Sequence, residues 1–269
     1  MSRPTLPAPV GTLGPTTLVA LFALSFPGCA EAQIATDRPD FVESSAVVGA
    51  GAMQLETSTA YTRVGSGSVR QASWSTPTLL RIGLSPVLEF RLETDGWVRD
   101  DSARGFTTED GVADVAVGLK WHTSDESGGR PATALLLHAD LPSGSQPHRG
   151  DGVRPSVRAV AEWTLPAGMA LGVMPGLALA RSTDESYAVG LLGVVLAKEL
   201  TGSLRAFGEI ALEEVASGSR GGTVGTVNAG LALLLSANLQ LDTGASWGIN
   251  RRSPDLGWTL GLSVLRPGS

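Results

Sequence analysis

VLEFRLETDGW, residues Val87–Trp97, decides the fold. After Val87, the residues Leu88, Phe90, Leu92 and Thr94 alternate with Glu89, Arg91, Glu93 and Asp95. Successive side chains leave opposite faces of an extended chain, so a period of two is a strand period. A helix would spread the four ionisable groups around its circumference and bury some of them without partners. The stretch therefore reads as a strand with one apolar and one charged face. In a soluble sandwich the apolar face turns to a core. In a membrane barrel it turns to lipid, and the charged face looks into a polar lumen.

The same alternation extends outward in both directions. Gly51 to Arg63 sets Gln54, Glu56, Ser58 and Thr62 against Met53, Leu55 and Tyr61, and Val69 to Leu84 follows. Downstream, Gly111 to Thr123 sets Asp114, Lys120 and His122 against Val115, Val117, Leu119 and Trp121. Pro131 to Leu141 sets His138 and Asp140 against Leu135 and Leu137, and Arg154 to Leu165 sets Arg158 and Glu162 against Val157 and Trp163. Met169 to Arg181 and Tyr187 to Leu200 alternate poorly, being mainly Gly, Ala, Val and Leu, and are expected to be strands on length. Ser203 to Val215 restores the pattern with Arg205, Glu209 and Glu213, and Thr223 to Ser236, Leu239 to Ile249 and Gly257 to Leu265 complete the set. About twelve strands of roughly 10–14 residues are long enough for tilted crossings of a bilayer.

The connections sort by length. Ser85-Pro86, Pro166-Ala-Gly168, Thr201-Gly202 and Ala237-Asn238 are short. Arg99 to Thr108, Pro142 to Val153, Val215 to Gly222 and Asn250 to Leu256 are longer and more polar. Short turns at one end and long loops at the other are the outer-membrane arrangement, and an even strand count puts both termini on the short-turn, periplasmic side. The Thr123 to Arg130 connection is too long for that side. On this layout Tyr61, Trp97, Trp247 and Trp258 sit at outer strand ends and Trp121 and Trp163 at inner ends, as two interfacial girdles require. Trp74, in mid-strand, does not fit.

Residues 1–32 read as a signal peptide: Arg3, then the apolar Thr17 to Phe26, then Ala30-Glu31-Ala32 as a cleavage site. Cys29, the one cysteine, lies inside it, with lipidation there as an alternative, so the mature chain has no disulfide framework. Residues 33–48 form an irregular lead-in, and 49–269 the barrel. No later apolar run is long enough for a transmembrane helix, so a closed barrel is how the mature chain can cross a membrane. The net charge of −6 and the lack of a basic stripe exclude nucleic acid as a partner. The expected partners are outer-membrane lipid, a small-molecule solute and the barrel-assembly machinery.

Thr36-Asp37-Arg38-Pro39-Asp40-Phe41, then Gly49-Ala-Gly51 and Gln54-Leu-Glu-Thr57, resemble the start of the outer-membrane transporter family named for the meta-pathway of phenol degradation. Leu141-Pro142-Ser143-Gly144, Trp247-Gly-Ile-Asn250 and Ser253-Pro254-Asp255 match in order and spacing. The resemblance implies an outer-membrane β-barrel that takes up hydrophobic or aromatic compounds. The ending Leu265-Arg-Pro-Gly-Ser269 departs from the aromatic terminus usual in such barrels.

The inward set read from the charged phases is Glu56, Glu89, Arg91, Glu93, Asp95, Asp114, Lys120, His122, His138, Asp140, Arg158, Glu162, Arg205, Glu209, Glu213 and Asp242. Two readings stay open. Either the charges pair across the lumen and fill it, leaving a closed barrel with a structural or surface role, or they line a polar path that selects solutes. Asp37, Arg38 and Asp40 are a possible plug, against a disordered lead-in. A remote third reading is a membrane hydrolase using His138, Asp140 and Ser156. His122, His138 and His148 share no metal-ligand spacing, Gly218 to Gly222 opens no helix, and neither a metal nor a cofactor is expected.

Overall fold

The computed structural model describes residues 34–65, 70–102, 107–182, 185–217 and 221–268, all within the unit formed by residues 31–269. The expected signal peptide with Cys29, most of the Gly65–Ser68 hairpin loop and Gly218 to Arg220 lie outside the described residues.

Among the described residues, fifteen strand segments form one antiparallel sheet. They are β1 Met53–Val64, β2 Gln71–Ser75, β3 Thr78–Ser85, β4 Leu88–Thr94, β5 Trp97–Ser102, β6 Thr107–Val112, β7 Val115–Ser124 and β8 Ala132–Leu141. Then follow β9 Arg154–Leu165, β10 Met169–Arg181, β11 Ser186–Thr201, β12 Leu204–Ala216, β13 Gly222–Ser236, β14 Leu239–Gly248 and β15 Leu256–Arg266. β15 pairs with β1 from Met53↔Arg266 to Arg63↔Leu256, which closes the sheet into a barrel and leaves no free long edge.

Three pairs of segments are halves of single crossings, so the barrel has twelve strands, as the alternation predicts. The breaks are Thr76-Pro77 between β2 and β3, Asp95-Gly96 between β4 and β5, and Ala113-Asp114 between β6 and β7. Pro77 has no N–H to give the ladder. Its carbonyl still accepts Ser58 N, while Thr76 N reaches the carbonyls of both Asp95 and Trp97. Gly96 takes φ 65°, open to glycine, and the extra residue bends the strand as a bulge does. The serines after Leu141 seal the third break, Ser143 Oγ accepting Val115 N and Ser145 Oγ accepting Val112 N, each at 2.9 Å. The expected Arg99 to Thr108 loop is thereby corrected: Trp97–Ser102 and Thr107–Val112 pair as a hairpin, because Arg99, Asp100 and Asp101 stand on a ladder extended beyond the break.

Exposure is inverted relative to a soluble protein. Leu55, Leu137, Leu177, Leu196, Ile210, Leu231, Leu260 and Val264 are exposed, while Gln54, Glu56, Arg81, Glu89, Arg91 and Lys120 are almost fully buried. A continuous apolar surface of this extent requires a non-aqueous surrounding, and a closed barrel satisfies its backbone within one. The soluble sandwich is excluded on this pattern, and the chain is an outer-membrane barrel.

Tyr61, Trp97, Trp247 and Trp258 lie on the long-loop half of the barrel, and Trp121 and Trp163 near the short turns. Trp74 is corrected. Tyr61 stands opposite both Trp74 and Trp258 in the register, with ring centroids at 4.9 and 6.3 Å, so Trp74 joins the loop-side aromatics. It lies beyond the Thr76-Pro77 break, which an unbroken Val69 to Leu84 strand concealed. The long Thr123 to Arg130 connection folds onto its own wall: Ser127 bridges Arg130, Glu126 accepts Thr164 N, and Trp163 Nε1 donates to Gly129 O.

Candidate functional site

Residues 34–48 are neither a ladder strand nor outside the barrel. Ile34 N donates to Ala237 O in the short turn between β13 and β14, and the chain returns to the same mouth at Gly49, where a Cβ on Gly83 would meet Gly49 O at 1.9 Å. Between those points the segment bends through the lumen, with Ile34, Asp37, Val42, Glu43, Ser45 and Val48 buried.

A chain without its own ladder needs partners for every buried N–H and C=O. The wall supplies them. Glu56 accepts Asp37 N and Arg38 N, Glu209 accepts Phe41 N and Val42 N, Glu162 accepts Ser45 N and Glu89 accepts Val48 N. In the other direction Arg81 donates to Ala35 O and Ala46 O, Gln54 to Ala35 O, and Lys120 to Ser44 O.

At the centre Asp37 accepts Arg91 Nη1 at 2.5 Å and Lys120 Nζ at 2.7 Å, with Arg81 Nη1 at 3.4 Å. Arg91 Nη2 lies 2.7 Å from Glu43, which also receives Arg158 Nη1 at 2.7 Å. Arg81 bonds Glu56 at 3.1 Å and Glu89 at 2.9 Å. Arg81 and Lys120 are 0% exposed, so neither charge is stable there without its carboxylates. The wall charges pair with near neighbours, Arg81 with Glu56 and Glu89 and Arg91 with Glu89, and the lead-in stands between them in the lumen, where Glu56, Glu89, Arg91, Lys120, Arg158, Glu162, Arg205 and Glu209 all meet it. Arg205 approaches Asp40 at 3.3 Å, and Arg38 Nη2 donates to Ser58 Oγ at 2.5 Å.

Sequence reading missed Arg81 and Glu43, each of which lies within 4.0 Å of three opposite charges of the cluster. It also missed an apolar inner wall. Ala134 and Leu136 of β8, Val160 of β9, Met174 of β10, Val195 and Ala197 of β11 and Phe207 of β12 point inward, and cluster with Val42 and the half-buried Phe41. This explains the weak alternation of β10 and β11, which are apolar on both faces.

The remaining inward residues line cavities on either side of the segment. A loop-side cavity of about 380 Å³ is lined by Glu93, Asp95, Asp114, His138, Asp140 and Arg158 among others. An adjoining cavity of about 220 Å³ shares Glu93, Asp95 and Arg158 and reaches down to Asp37, Asp40, Phe41 and Glu43. On the short-turn side, about 320 Å³ is bounded by Ile34, Ala35, Thr36, Glu162, Arg205 and Gln240. Glu213 keeps the inward phase of β12, and Asp242 is buried on β14. His122 binds Ser45 O and Asp125.

His138 stands opposite Ser156 in the register, but neither ring nitrogen has a hydrogen-bond partner and Nε2 is 3.8 Å from Glu93. Asp140 lies beside Arg154 instead, so the nucleophile, base and orienting acid of a triad are not brought together. Among the described residues no group of three or more His, Cys, Asp or Glu is placed to hold a metal ion.

The family described as "Putative MetA-pathway of phenol degradation" matches residues 36–265. An outer membrane channel from Pseudomonas putida F1 superposes with TM-score 0.68 at 9% identity, covering 83% of this chain and 98% of that one. The NanC porin superposes with TM-score 0.56 at 10% identity, covering 78% and 98%. No curated protein matches. At these identities the two structures share the fold of the chain.

Proposed function

This chain belongs to the family of the MetA-pathway of phenol degradation, and from that premise we propose an outer-membrane channel for passive uptake of small solutes, hydrophobic or aromatic ones among them. One observation carries the reading. The middle of the barrel is filled by a segment contiguous with β1, with a cavity on each side of it, and not by side chains of the wall alone. A barrel with a purely structural role can be packed solid from its own strands. A removable filler suits a path that opens.

In this reading residues 1–32 are a signal peptide removed on export, and residues 33–48 are the plug, with Asp37, Arg38 and Asp40 at its charged bend. Both termini and the short turns face the periplasm, and the two aromatic belts sit at the two lipid interfaces. The barrel-assembly machinery inserts the chain. Solute enters the loop-side vestibule, where Glu93, Asp95, Asp114, Asp140 and Arg158 set selectivity with carboxylates in excess, and a mild preference for cations over anions follows. Catalysis is not part of this role.

The alternative of a closed barrel has its own support, since the segment is fixed by buried ion pairs. Single-channel recording separates the two. The full-length mature protein and a variant lacking residues 33–48 are reconstituted in planar bilayers. The channel reading expects low conductance from the first and a several-fold larger, cation-favouring conductance from the second. Silence from both, with the barrel folded by heat-modifiable gel mobility, would refute it.

A further inference from the structure

The apolar inner wall contains a notch shaped to the tip of the plug. A Cβ on Gly193 of β11 would meet Val42 Cγ2 at 2.5 Å and Phe41 Cδ1 at 2.8 Å, and one on Gly172 of β10 would meet Val42 Cγ1 at 3.1 Å. A side chain at Gly193 would therefore take up space that the tip occupies. Around the notch lie Leu136, Met174, Val195 and Phe207, with no ionised group in the cluster itself. The backbone of the tip is held by a single residue, Glu209, at 2.9 and 2.7 Å. Phe41 also borders the 220 Å³ cavity on the loop side, together with Pro77 and Leu79.

We propose that the Gly172–Gly193 notch is a binding site for an apolar ring of the solute, in which Phe41 and Val42 are a resident competitor. This inference rests on the channel reading and adds to it the place where solute binds and the contact it displaces. An arriving ring exchanges for the Phe41 ring with little net change in buried apolar area, so displacement is inexpensive for an apolar solute. A sugar offers no such exchange, because its hydroxyls would enter the notch without partners. The notch thus couples opening of the plug to the chemistry of the passenger.

The mature chain has no cysteine, which allows a reversible test. Val42→Cys with Gly193→Cys puts one thiol on the tip and one on the floor of the notch beside it, to be joined by oxidation. Uptake of radiolabelled toluene and of arabinose is measured in cells expressing the double variant, oxidised and then reduced. Phe41→Ala and Phe41→Ala with Gly193→Ala are assayed beside it, and folding is checked by heat-modifiable mobility.

Oxidation should abolish toluene uptake and reduction restore it. Phe41→Ala should raise toluene uptake about tenfold, the occupancy controlled by burial of one ring, with arabinose changed far less. Adding Gly193→Ala should cancel that gain. The proposal is overturned if toluene and arabinose rise alike in Phe41→Ala, if Gly193→Ala leaves the gain intact, or if oxidation is without effect. Failure of the channel reading looks different: toluene and arabinose would then enter no faster than in cells lacking the protein, in every variant and redox state.

Discussion

On the arc formed by β1, β3, β4 and β7 the plug meets Glu56, Arg81, Glu89, Arg91 and Lys120; on the arc from β8 to β12 it meets Leu136, Val160, Met174, Val195 and Phe207. The first arc acts through charges in fixed directions, each shared among several partners. Removing one leaves the others buried and unmatched. The second holds Glu43, Ser45, Asp40 and the tip's N–H groups through Arg158, Glu162, Arg205 and Glu209, but it meets the Phe41 and Val42 side chains by undirected contact, which any apolar group of similar shape can supply. One segment is therefore held at Asp37 by a contact that is hard to replace, and at Phe41 and Val42 by one that exchanges readily. On the channel reading, the difference assigns the anchor to the charged arc and the moving part to the apolar arc.

The largest break in this comparison is Asp37→Asn. It leaves Arg81, Arg91 and Lys120 facing one another with one carboxylate fewer, at a cost of about 3–5 kcal/mol to docking of the plug. A glutamate-specific protease should then cut after Glu43 in the folded barrel at least about tenfold faster, since each 1.4 kcal/mol is a factor of ten in the open population. Continued protection of Glu43 would mean that the charged arc is not the anchor.

Met174→Ala attacks the other arc. Emptying a fully buried methionine site should destabilise the barrel by about 2–5 kcal/mol. It should lower the midpoint of heat-modifiable mobility while leaving Glu43 protected. Cleavage after Glu43 in Met174→Ala as fast as in Asp37→Asn would erase the distinction between the arcs.

Glu209→Gln sharpens the comparison at the tip. It keeps the shape but removes the charge that receives Phe41 N, Val42 N and Asn228 Nδ2, worth about 1.5–3 kcal/mol. Channel openings should become longer or more frequent with Glu43 still protected. Unchanged gating would show that Glu209 does not restrain the tip. Arg99→Ala, on the ladder beyond the break, removes an exposed pair with Asp101 and touches neither arc. No change in mobility or conductance is expected, and a change in either would mean that the outer hairpin communicates with the lumen.

The barrel was legible in the sequence because its lipid face is apolar almost everywhere, and the period of two survives wherever the inner face is polar. It faded at β10 and β11 for a physical reason, since Met174, Val195 and Ala197 make the inner face apolar as well. Arg81 was hidden for a related one. It shares its phase with the buried Leu79 and stands between Leu80 and Ile82, so no charged stripe marks it. A lone cation in a run of Leu and Ile is the signal that would have found it. Glu43 lies in a segment without periodicity, where pattern reading has nothing to measure. What one strand's alternation lacks is any statement of what occupies the space inside, because Glu56, Glu89 and Lys120 bond the lead-in as well as charges on neighbouring strands.

Both limbs of the plug leave by the mouth that carries the short turns, at Ile34 and at Gly49. A segment that enters and exits by one door never has to be threaded. The seam between β15 and β1 is free to be sewn shut around an empty or hydrated interior, with the cork pushed home afterwards, and the cork can be drawn again without unpicking a stitch of the wall.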